Sequence, residues 1–322
     1  MRYRIVLSYN GAGFNGWQIQ PSAPSIQGAL EKALSTLLRH PVQVTGAGRT
    51  DTGVNALGYT AHFETPDEVR RKDLVYKLNA ILPAGICVVS IGRCTDDFHS
   101  RFDATRREYT YFLHRVKDPF VASFSYLCAY PELDFAKMNE AAAALLGRHD
   151  FSCFEKSGGN AKTSICTVFE AFWKPYTPSI CASGLSLDLA DPREQRSEDS
   201  RQDGERYWYF RISADRFLRN MVRAVVGSLV EVGRGKRSVE NFARLVMEAP
   251  AAGGPQLQET TGMSGSAGRQ TLRCEAGESV PGHALFLSGI DYPADAPERL
   301  PRMQKEDFPA QTSSPSGGQE SK

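Results

Sequence analysis

The sequence lacks any long hydrophobic run. No stretch approaches the 18 or so apolar residues that a membrane-spanning helix needs. Its opening segment, MRYRIVLSYN, also lacks the uninterrupted apolar core of a signal peptide. We therefore expect a soluble, unexported protein with a cytoplasmic location.

Cysteine patterns that bind metal are missing as well. The seven cysteines form no Cys-x-x-Cys pair and no Cys/His cluster at the spacing of zinc ligands. An odd number of scattered cysteines is typical of a reduced, cytosolic protein, so we expect neither a disulfide framework nor a metal site.

A large excess of positive charge is also missing. Lys and Arg number 38 against 37 Asp and Glu, a formal charge of +1, which taken alone argues against a nucleic-acid partner. The charges are segregated, however. Residues 188–205 carry seven acids against three arginines, net −4, whereas residues 206–237 carry eight Lys/Arg against two acids, net +6. The global sum therefore hides a local basic patch.

The apolar spacing predicts strands interleaved irregularly with helices. Strand patterns cover residues 2–9, 42–45, 59–63, 86–93, the second half of FHSRFDATRREYTYFLHR, 164–174, 206–213 and 284–292. Helix patterns cover residues 26–38 after the cap Ser25, 73–81, 134–146, 215–232 and 239–248. Because strands and helices do not alternate regularly, as they would around a parallel sheet, we expect an α+β fold.

Three segments are expected to be irregular. Residues 175–205 are rich in Ser, Asp, Arg and Pro and are interpreted as an inserted acidic loop. Residues 249–281 are rich in Gly, Ser, Thr and Gln. The last thirty residues have too little apolar content to pack, and we expect a disordered tail.

The most conspicuous carboxylate is Asp51, in the sequence GAGRTDTGVNALG. The predicted loop 46–58 displays Asp51 beside Arg49, which favours an ionised nucleophile or base next to a cation that can grip a phosphate or a nucleobase. A glycine turn in which Asp51 bonds its own backbone is the alternative. The glycine spacing fits neither a dinucleotide fingerprint nor a phosphate loop. The triplet Asp51-Thr52-Gly53 matches an aspartic-protease loop, but that chemistry needs a second copy, which the chain lacks.

The predicted helix 215–232 carries three arginines at offsets of zero, three and seven. Arg216, Arg219 and Arg223 would therefore share one face of an amphipathic helix. A single-sign face beside aromatic strand residues favours RNA phosphates and stacked bases, and a solvated charged face is the alternative.

Two tyrosines lie two residues apart in the predicted strand REYTY. Tyr109 and Tyr111 therefore face the same side of the sheet as Arg107. Sheet packing is one interpretation of these rings, and stacking on a flipped-out base is the other.

Several segments together resemble one family, the tRNA pseudouridine synthases of the TruA type. They occur in the family's order from Met1 to about Tyr292, and six in sequence are highly specific. The matching segments are YNGAGFNGWQIQP, GAGRTDTGVNALG, FHSRFDATRREYTY, GRHDFSCF, FLRNMVRAVVGSLVEVGRG and GHALFLSGIDYP.

The resemblance implies an isomerase that converts uridines 38 to 40 of the tRNA anticodon arm to pseudouridine, without a cofactor and as a homodimer. It implies that Asp51 is the catalytic aspartate and that Tyr109 stacks on the target base. Arg223 would pair with the aspartate, Leu285 would form an apolar wall, and Arg49 would help base extrusion. A non-catalytic tRNA-binding protein on the same fold is the competing possibility.

The resemblance also implies two ferredoxin-like halves that share a mostly antiparallel sheet. We place the N-terminal half with the aspartate loop at residues 1–104, the C-terminal half at 105–292 and the tail at 293–322. Asn55 departs from the family, whose members commonly have histidine there, and this change is expected to alter a loop or backbone contact. The two inserts, at about 175–205 and 253–282, are expected to lengthen loops.

Overall fold

The computed structural model describes residues 1–158, 161–178, 206–248 and 276–293 of the chain. Within these residues, eleven strands form one mixed sheet and five α-helices accompany it. The strands are β1 (Arg2–Tyr9), β2 (Val44–Gly46), β3 (Asn55–Glu64), β4 (Ile86–Arg93), β5 (Arg106–His114), β6 (Tyr126–Leu127), β7 (Gly147–Asp150), β8 (Ile165–Pro175), β9 (Tyr207–Ala214), β10 (Met247–Glu248) and β11 (Leu285–Asp291). The helices are α1 (Ile26–Leu38), α2 (Arg71–Ile81), α3 (Phe135–Ala143), α4 (Met221–Gly233) and α5 (Val239–Ala243).

The sheet order is β10-β7-β8-β9-β5-β11-β3-β1-β4, with β2 paired to β3 and β6 paired to β5. Among the described strands, β11 runs parallel to β3 and β6 parallel to β5, and the other pairs are antiparallel. The predicted α+β class with a mostly antiparallel sheet is confirmed. The last strand, β11, lies in the middle of the sheet, between β5 and β3, and so joins early and late parts of the chain.

Several elements match the sequence patterns closely. Strands β1 and β4 have the predicted bounds, and so does α1, whose cap Ser25 accepts a hydrogen bond from Gly28 N at 3.2 Å. The apolar residues Ile26, Leu30 and Leu34 of α1 are buried, as the helical spacing predicts. No helix in the described part of the chain has the length and apolar character needed to cross a membrane.

The predicted basic helix is wrong in its first third. The helix α4 begins at Met221 rather than at residue 215. Asp215 Oδ1 accepts hydrogen bonds from Arg216 N at 2.7 Å and from Thr167 N at 2.8 Å, which ties the chain to β8 instead of letting it coil. Asn220 then adopts a left-handed φ of 63°, so helical geometry cannot run through it. The three arginines therefore do not share a helix face, because Arg216 and Arg219 precede α4.

Other boundaries differ because pairing across the sheet decides them. Strand β3 begins at Asn55 rather than at residue 59, since Asn55 and Ala56 pair with Phe286 and Leu287 of β11. Helix α5 ends at Ala243, and the chain then forms β10 against β7 instead of continuing to residue 248. Helix α3 likewise ends earlier than predicted, at residue 143. Most of the expected insert, of the irregular stretch and of the tail, at 179–205, 249–275 and 294–322, lies outside the described residues.

Two large clusters of buried side chains, and a small one at Cys94, Phe98 and Tyr292, form the core of the described residues. One large cluster packs β1 and β3 against α1 and α2, and the other packs β5, β8 and β9 against α3 and α4. Tyr109 of β5 contacts both large clusters. Side chains from the two large clusters therefore meet at Tyr109.

Candidate active site

Asp51 lies on the loop between β2 and β3, residues 47–54, and this loop is held by the segment that follows β1. Trp17 N donates to Thr50 O at 3.2 Å, and the Tyr9 hydroxyl shares a hydrogen bond of 2.9 Å with Thr50 Oγ1. These bonds fix the residue immediately before Asp51, so the carboxylate is presented from an ordered backbone.

Two stacked aromatic rings, of Trp17 and Tyr59, support the same loop. The rings of Trp17 and Tyr59 stack with their centroids 4.0 Å apart. The Tyr59 hydroxyl donates to Gly48 O and accepts from Gly48 N. The tryptophan of the N-terminal motif therefore acts as a support for the aspartate loop.

Two glycines are required by the geometry of this loop. Gly16 has a φ of 85°, and a Cβ at this position would overlap Thr50 O. Gly53 has a φ of 76° and donates its N–H to Phe14 O at 3.4 Å. Any other residue would be strained at these two positions, and Gly16 also allows the close approach to Thr50.

Arg223 faces Asp51 across the site from the first turn of α4. Its Nη1 lies 4.0 Å from Asp51 Oδ2, and its Nε donates to Val280 O at 2.7 Å. The carbonyl of Val280 orients the guanidinium and leaves Nη1 directed toward the carboxylate. The Asp51 side chain is 36% exposed, so the carboxylate remains accessible to a substrate.

Tyr109 supplies a partly buried phenol next to the same carboxylate. Its ring packs edge-to-face against Phe217, with centroids 5.0 Å apart. Burial, and next the negative charge of Asp51, raise the pKa of Tyr109 above its ordinary value. The hydroxyl is therefore a neutral hydrogen-bonding group at neutral pH.

Leu285 opens β11, opposite Tyr111 of β5, and is 4% exposed. The turn before it lies directly against the aspartate loop, because a Cβ on Gly282 would meet Thr52 O at 2.7 Å. The turn that precedes Leu285 therefore borders the aspartate loop. Tyr111 itself is fully buried and belongs to the core, which favours the packing interpretation for this second tyrosine.

Asn55 links two segments that border the site. Its Oδ1 accepts from Gly11 N at 2.8 Å, and its Nδ2 donates to His283 O at 2.7 Å. Asn55 is 2% exposed, so both bonds are sheltered from water. The Asn55 amide therefore joins the segment after β1 to the turn before β11 through two backbone groups.

Arg107 supports the site through hydrogen bonds to backbone carbonyls, whereas the sequence predicted only which face of the strand it occupies. Its Nη1 donates to Ala104 O at 3.1 Å and Asp215 O at 2.8 Å, and its Nη2 donates to Ala47 O at 3.2 Å and Arg101 O at 2.7 Å. One guanidinium therefore joins the start of the aspartate loop, the segment before β5 and the segment before α4. The carbonyls of Ala104 and Arg101 are close to Arg107 in sequence, whereas those of Ala47 and Asp215 come from distant positions that the strand pattern does not reveal.

The remaining basic residues of the predicted RNA surface lie on loops. Arg49 is exposed on the aspartate loop. Arg219 is exposed, and its Nη1 donates to Ser157 O at 3.1 Å and to Gly158 O at 3.4 Å. Arg216 is half-buried on the segment before α4. The structure thus brings Arg223 and Tyr109 to Asp51, whereas Arg49, Arg216 and Arg219 flank the site without a shared helix.

The described residues contain no group of three or more His, Cys, Asp or Glu side chains that could hold a metal ion. The side chains that the structure gathers at the site are one accessible carboxylate, a facing guanidinium and a neutral phenol. These groups can attack or deprotonate a sugar carbon and hold a flat base.

Comparison with known proteins identifies the family. The family model described as tRNA pseudouridine synthase matches residues 141–261. The chain is 42% identical over 295 residues to tRNA pseudouridine synthase A of Bacteroides fragilis, covering 91% of this chain and 97% of the relative. It is 41% identical over 294 residues to the protein of that name from Bacteroides thetaiotaomicron, covering 91% of each chain. It is 33% identical over 295 residues to that of Bacillus licheniformis, covering 91% of this chain and 99% of the relative. The resemblance in the sequence motifs is thereby confirmed, and the chain belongs to the tRNA pseudouridine synthase family.

Proposed function

We propose that this protein isomerises uridine to pseudouridine in tRNA, at positions 38 to 40 of the anticodon arm, with Asp51 as the catalytic carboxylate. The observation that carries the proposal is the geometry around Asp51. An accessible carboxylate sits on a fixed glycine loop with Arg223 Nη1 at 4.0 Å from Oδ2 and with the partly buried Tyr109 beside it.

The reaction requires a single carboxylate. The bond between ribose C1′ and uracil N1 breaks, the base turns, and C1′ joins to C5, while the hydrogen on C5 leaves as a proton and N1 gains one. Asp51 either attacks C1′ or removes a ribose proton to give a glycal, and both routes use the same carboxylate. Neither route consumes a redox equivalent or a net water.

Each neighbour of Asp51 has a role in this scheme. Arg223 stabilises the ionised carboxylate and aims it, because Val280 O fixes its guanidinium. Tyr109 stacks on the detached uracil and, with Leu285, keeps it in a pocket from which water is excluded. Extrusion of the uridine costs a few kcal/mol, which this stacking partly offsets.

Basic residues around the site would hold the RNA backbone. Arg49 lies two residues from Asp51, and Arg216 and Arg219 lie on the segment before the helix that carries Arg223. All three belong to loops. The basic block at 206–237 supplies the charge that the global balance hides.

The homodimer, the cytoplasmic location and the two ferredoxin-like halves, at 1–104 and 105–292, belong to the same proposal. An exposed apolar surface is consistent with a second copy, since Leu57 is 55%, Phe120 57% and Phe124 41% exposed. Size-exclusion chromatography with light scattering tests the dimer directly.

Tritium release from tRNA labelled at uridine C5 tests the proposed reaction. We expect the wild-type protein to release tritium and Asp51→Asn to release none, with tRNA binding and folding nearly unchanged. Asp67→Asn is the matched control, because Asp67 is exposed on the turn after β3, away from the aspartate loop. A folded Asp51→Asn protein with wild-type turnover would refute the role of Asp51. Wild-type protein that binds tRNA without release would favour the non-catalytic alternative.

A further inference from the structure

The segment between β4 and β5, residues 94–105, presents an aromatic ring to solvent. Phe102 is 73% exposed, although phenylalanine is normally a core residue. The ring is nevertheless held in an ordered arrangement. Phe102 N donates to His99 O at 3.1 Å, the His99 ring centroid lies 4.2 Å from that of Phe102, and the Arg101 guanidinium carbon lies 5.7 Å from the Phe102 ring. We call the side chains of His99, Arg101 and Phe102 the aromatic platform.

Two hydrogen-bonded contacts tie the aromatic platform to the start of the aspartate loop. Ser100 Oγ donates to Thr45 O at 2.7 Å. The carbonyl of Arg101 accepts from Arg107 Nη2, the same nitrogen that donates to Ala47 O. Thr45 and Ala47 flank the glycine that ends β2, so the platform has a fixed position beside the loop that carries Asp51.

The segment carries three acidic residues; Asp97 hydrogen-bonds with the Thr95 side chain, and the other two accept from backbone groups. Asp103 Oδ2 accepts from His99 N at 2.8 Å, and Asp96 Oδ1 accepts from Arg2 N at 3.3 Å. The Arg101 guanidinium thus lies beside an exposed ring on a surface where these two carboxylates are engaged. A flat ring with an adjacent cation suits a nucleobase and its phosphate, because every base has a π-face and arginine adds a cation–π contact.

We propose that the aromatic platform stacks on an unpaired nucleobase of the substrate RNA, outside the pocket that receives the target uridine. This inference rests on the proposed function, since it assumes an RNA with splayed bases at the site. The platform adds a contact that is independent of Asp51 chemistry, and it tolerates different bases because stacking does not read a hydrogen-bond pattern.

Binding of an anticodon stem-loop RNA tests the platform, measured in the Asp51→Asn background so that no turnover occurs. We expect Phe102→Ala and Phe102→Leu each to weaken the Kd about tenfold and Phe102→Tyr to keep it within about twofold. Leucine retains apolar surface without a π-face, so the pair separates stacking from general apolar contact. Tyr76→Ala is the control, because Tyr76 is 77% exposed on α2 and lies outside the platform. Phe102 is so exposed that none of its variants should change the thermal unfolding midpoint.

The salt dependence of the same Kd gives a second readout. Arg101→Gln should weaken binding and reduce the slope of log Kd against log salt, whereas Phe102→Ala should leave the slope unchanged. Wild-type affinity in Phe102→Ala, or in Phe102→Leu, would overturn the platform, and the second result would indicate an apolar contact instead. Failure of the platform is distinguishable from failure of the proposed function, because tritium release by the wild-type protein tests the latter separately.

Discussion

Replacing Arg107 by methionine should destabilise the fold and slow catalysis together. The guanidinium donates to four backbone carbonyls, those of Ala104, Asp215, Ala47 and Arg101, at 2.7–3.2 Å. A hydrogen bond from a charged group contributes about 1.5–3 kcal/mol, and the four are not additive because they share one cation. We expect a loss of about 3–5 kcal/mol in the free energy of unfolding, which lowers Tm by roughly 10 °C in a chain of this size.

The catalytic effect of Arg107→Met follows from the position of Ala47. This residue begins the loop that carries Asp51, and a displacement of about 1 Å at a reacting group costs on the order of a hundredfold in rate. We expect kcat for tritium release to fall by about that factor. Arg107→Lys keeps the charge without the planar fork, so its effects should be intermediate.

The neighbouring residue supplies the control. Arg106 lies next to Arg107 on β5 but faces the opposite side of the sheet, where its Nη2 lies 2.7 Å from Glu170 Oε2 on a partly exposed surface. Such a surface pair contributes about 0–1 kcal/mol, so Arg106→Met should change urea unfolding and kcat little. Equal effects of the two methionine variants on stability, with kcat unchanged in both, would refute the role given to Arg107.

Two further predictions concern the supports of the site. Asn55→Ala should lower kcat and should lower the free energy of unfolding in urea by about 2–3 kcal/mol, because Gly11 N and His283 O lose their buried amide partner. Full activity in this variant would contradict the role of Asn55. Burial lowers the pKa of His62 to about 4, so the stability that depends on its neutral ring is present above pH 6.5 and lost as the pH falls toward 4. His62→Gln should therefore flatten the pH dependence of Tm over this range, and an unchanged profile would show that His62 is not its source.

Local patterns predicted much of the fold. The bounds of α1 followed from a serine cap and from apolar residues at helical spacing, and β1 and β4 followed from their apolar content and flanking turns. The start of α4 could not be predicted in this way, because Asp215 bonds to Thr167, which is 48 residues distant in sequence. The early start of β3 depends in the same way on β11, near the end of the described chain.

The site was only partly predictable for the same reason. From the residues alone, a catalytic role for Asp51 was one of several interpretations of the glycine loop. The roles of Arg223 and Leu285 came from the family resemblance. The connections made by Arg107 and Asn55 depend on backbone groups, which carry no sequence signature. Phe102 of the aromatic platform lies in the motif FHSRFDATRREYTY. Its exposure to solvent could not be inferred from the spacing of apolar residues in that motif.

Pseudouridine mapping in tRNA from cells that lack this protein is the most direct test of aspartate-dependent modification in the anticodon arm. We expect pseudouridine at positions 38 to 40 to be lost, to return with the wild-type chain, and to stay absent with a stably expressed Asp51→Asn chain. Unchanged pseudouridine at these positions in the deletion cells, or full restoration by Asp51→Asn, would contradict the proposed function.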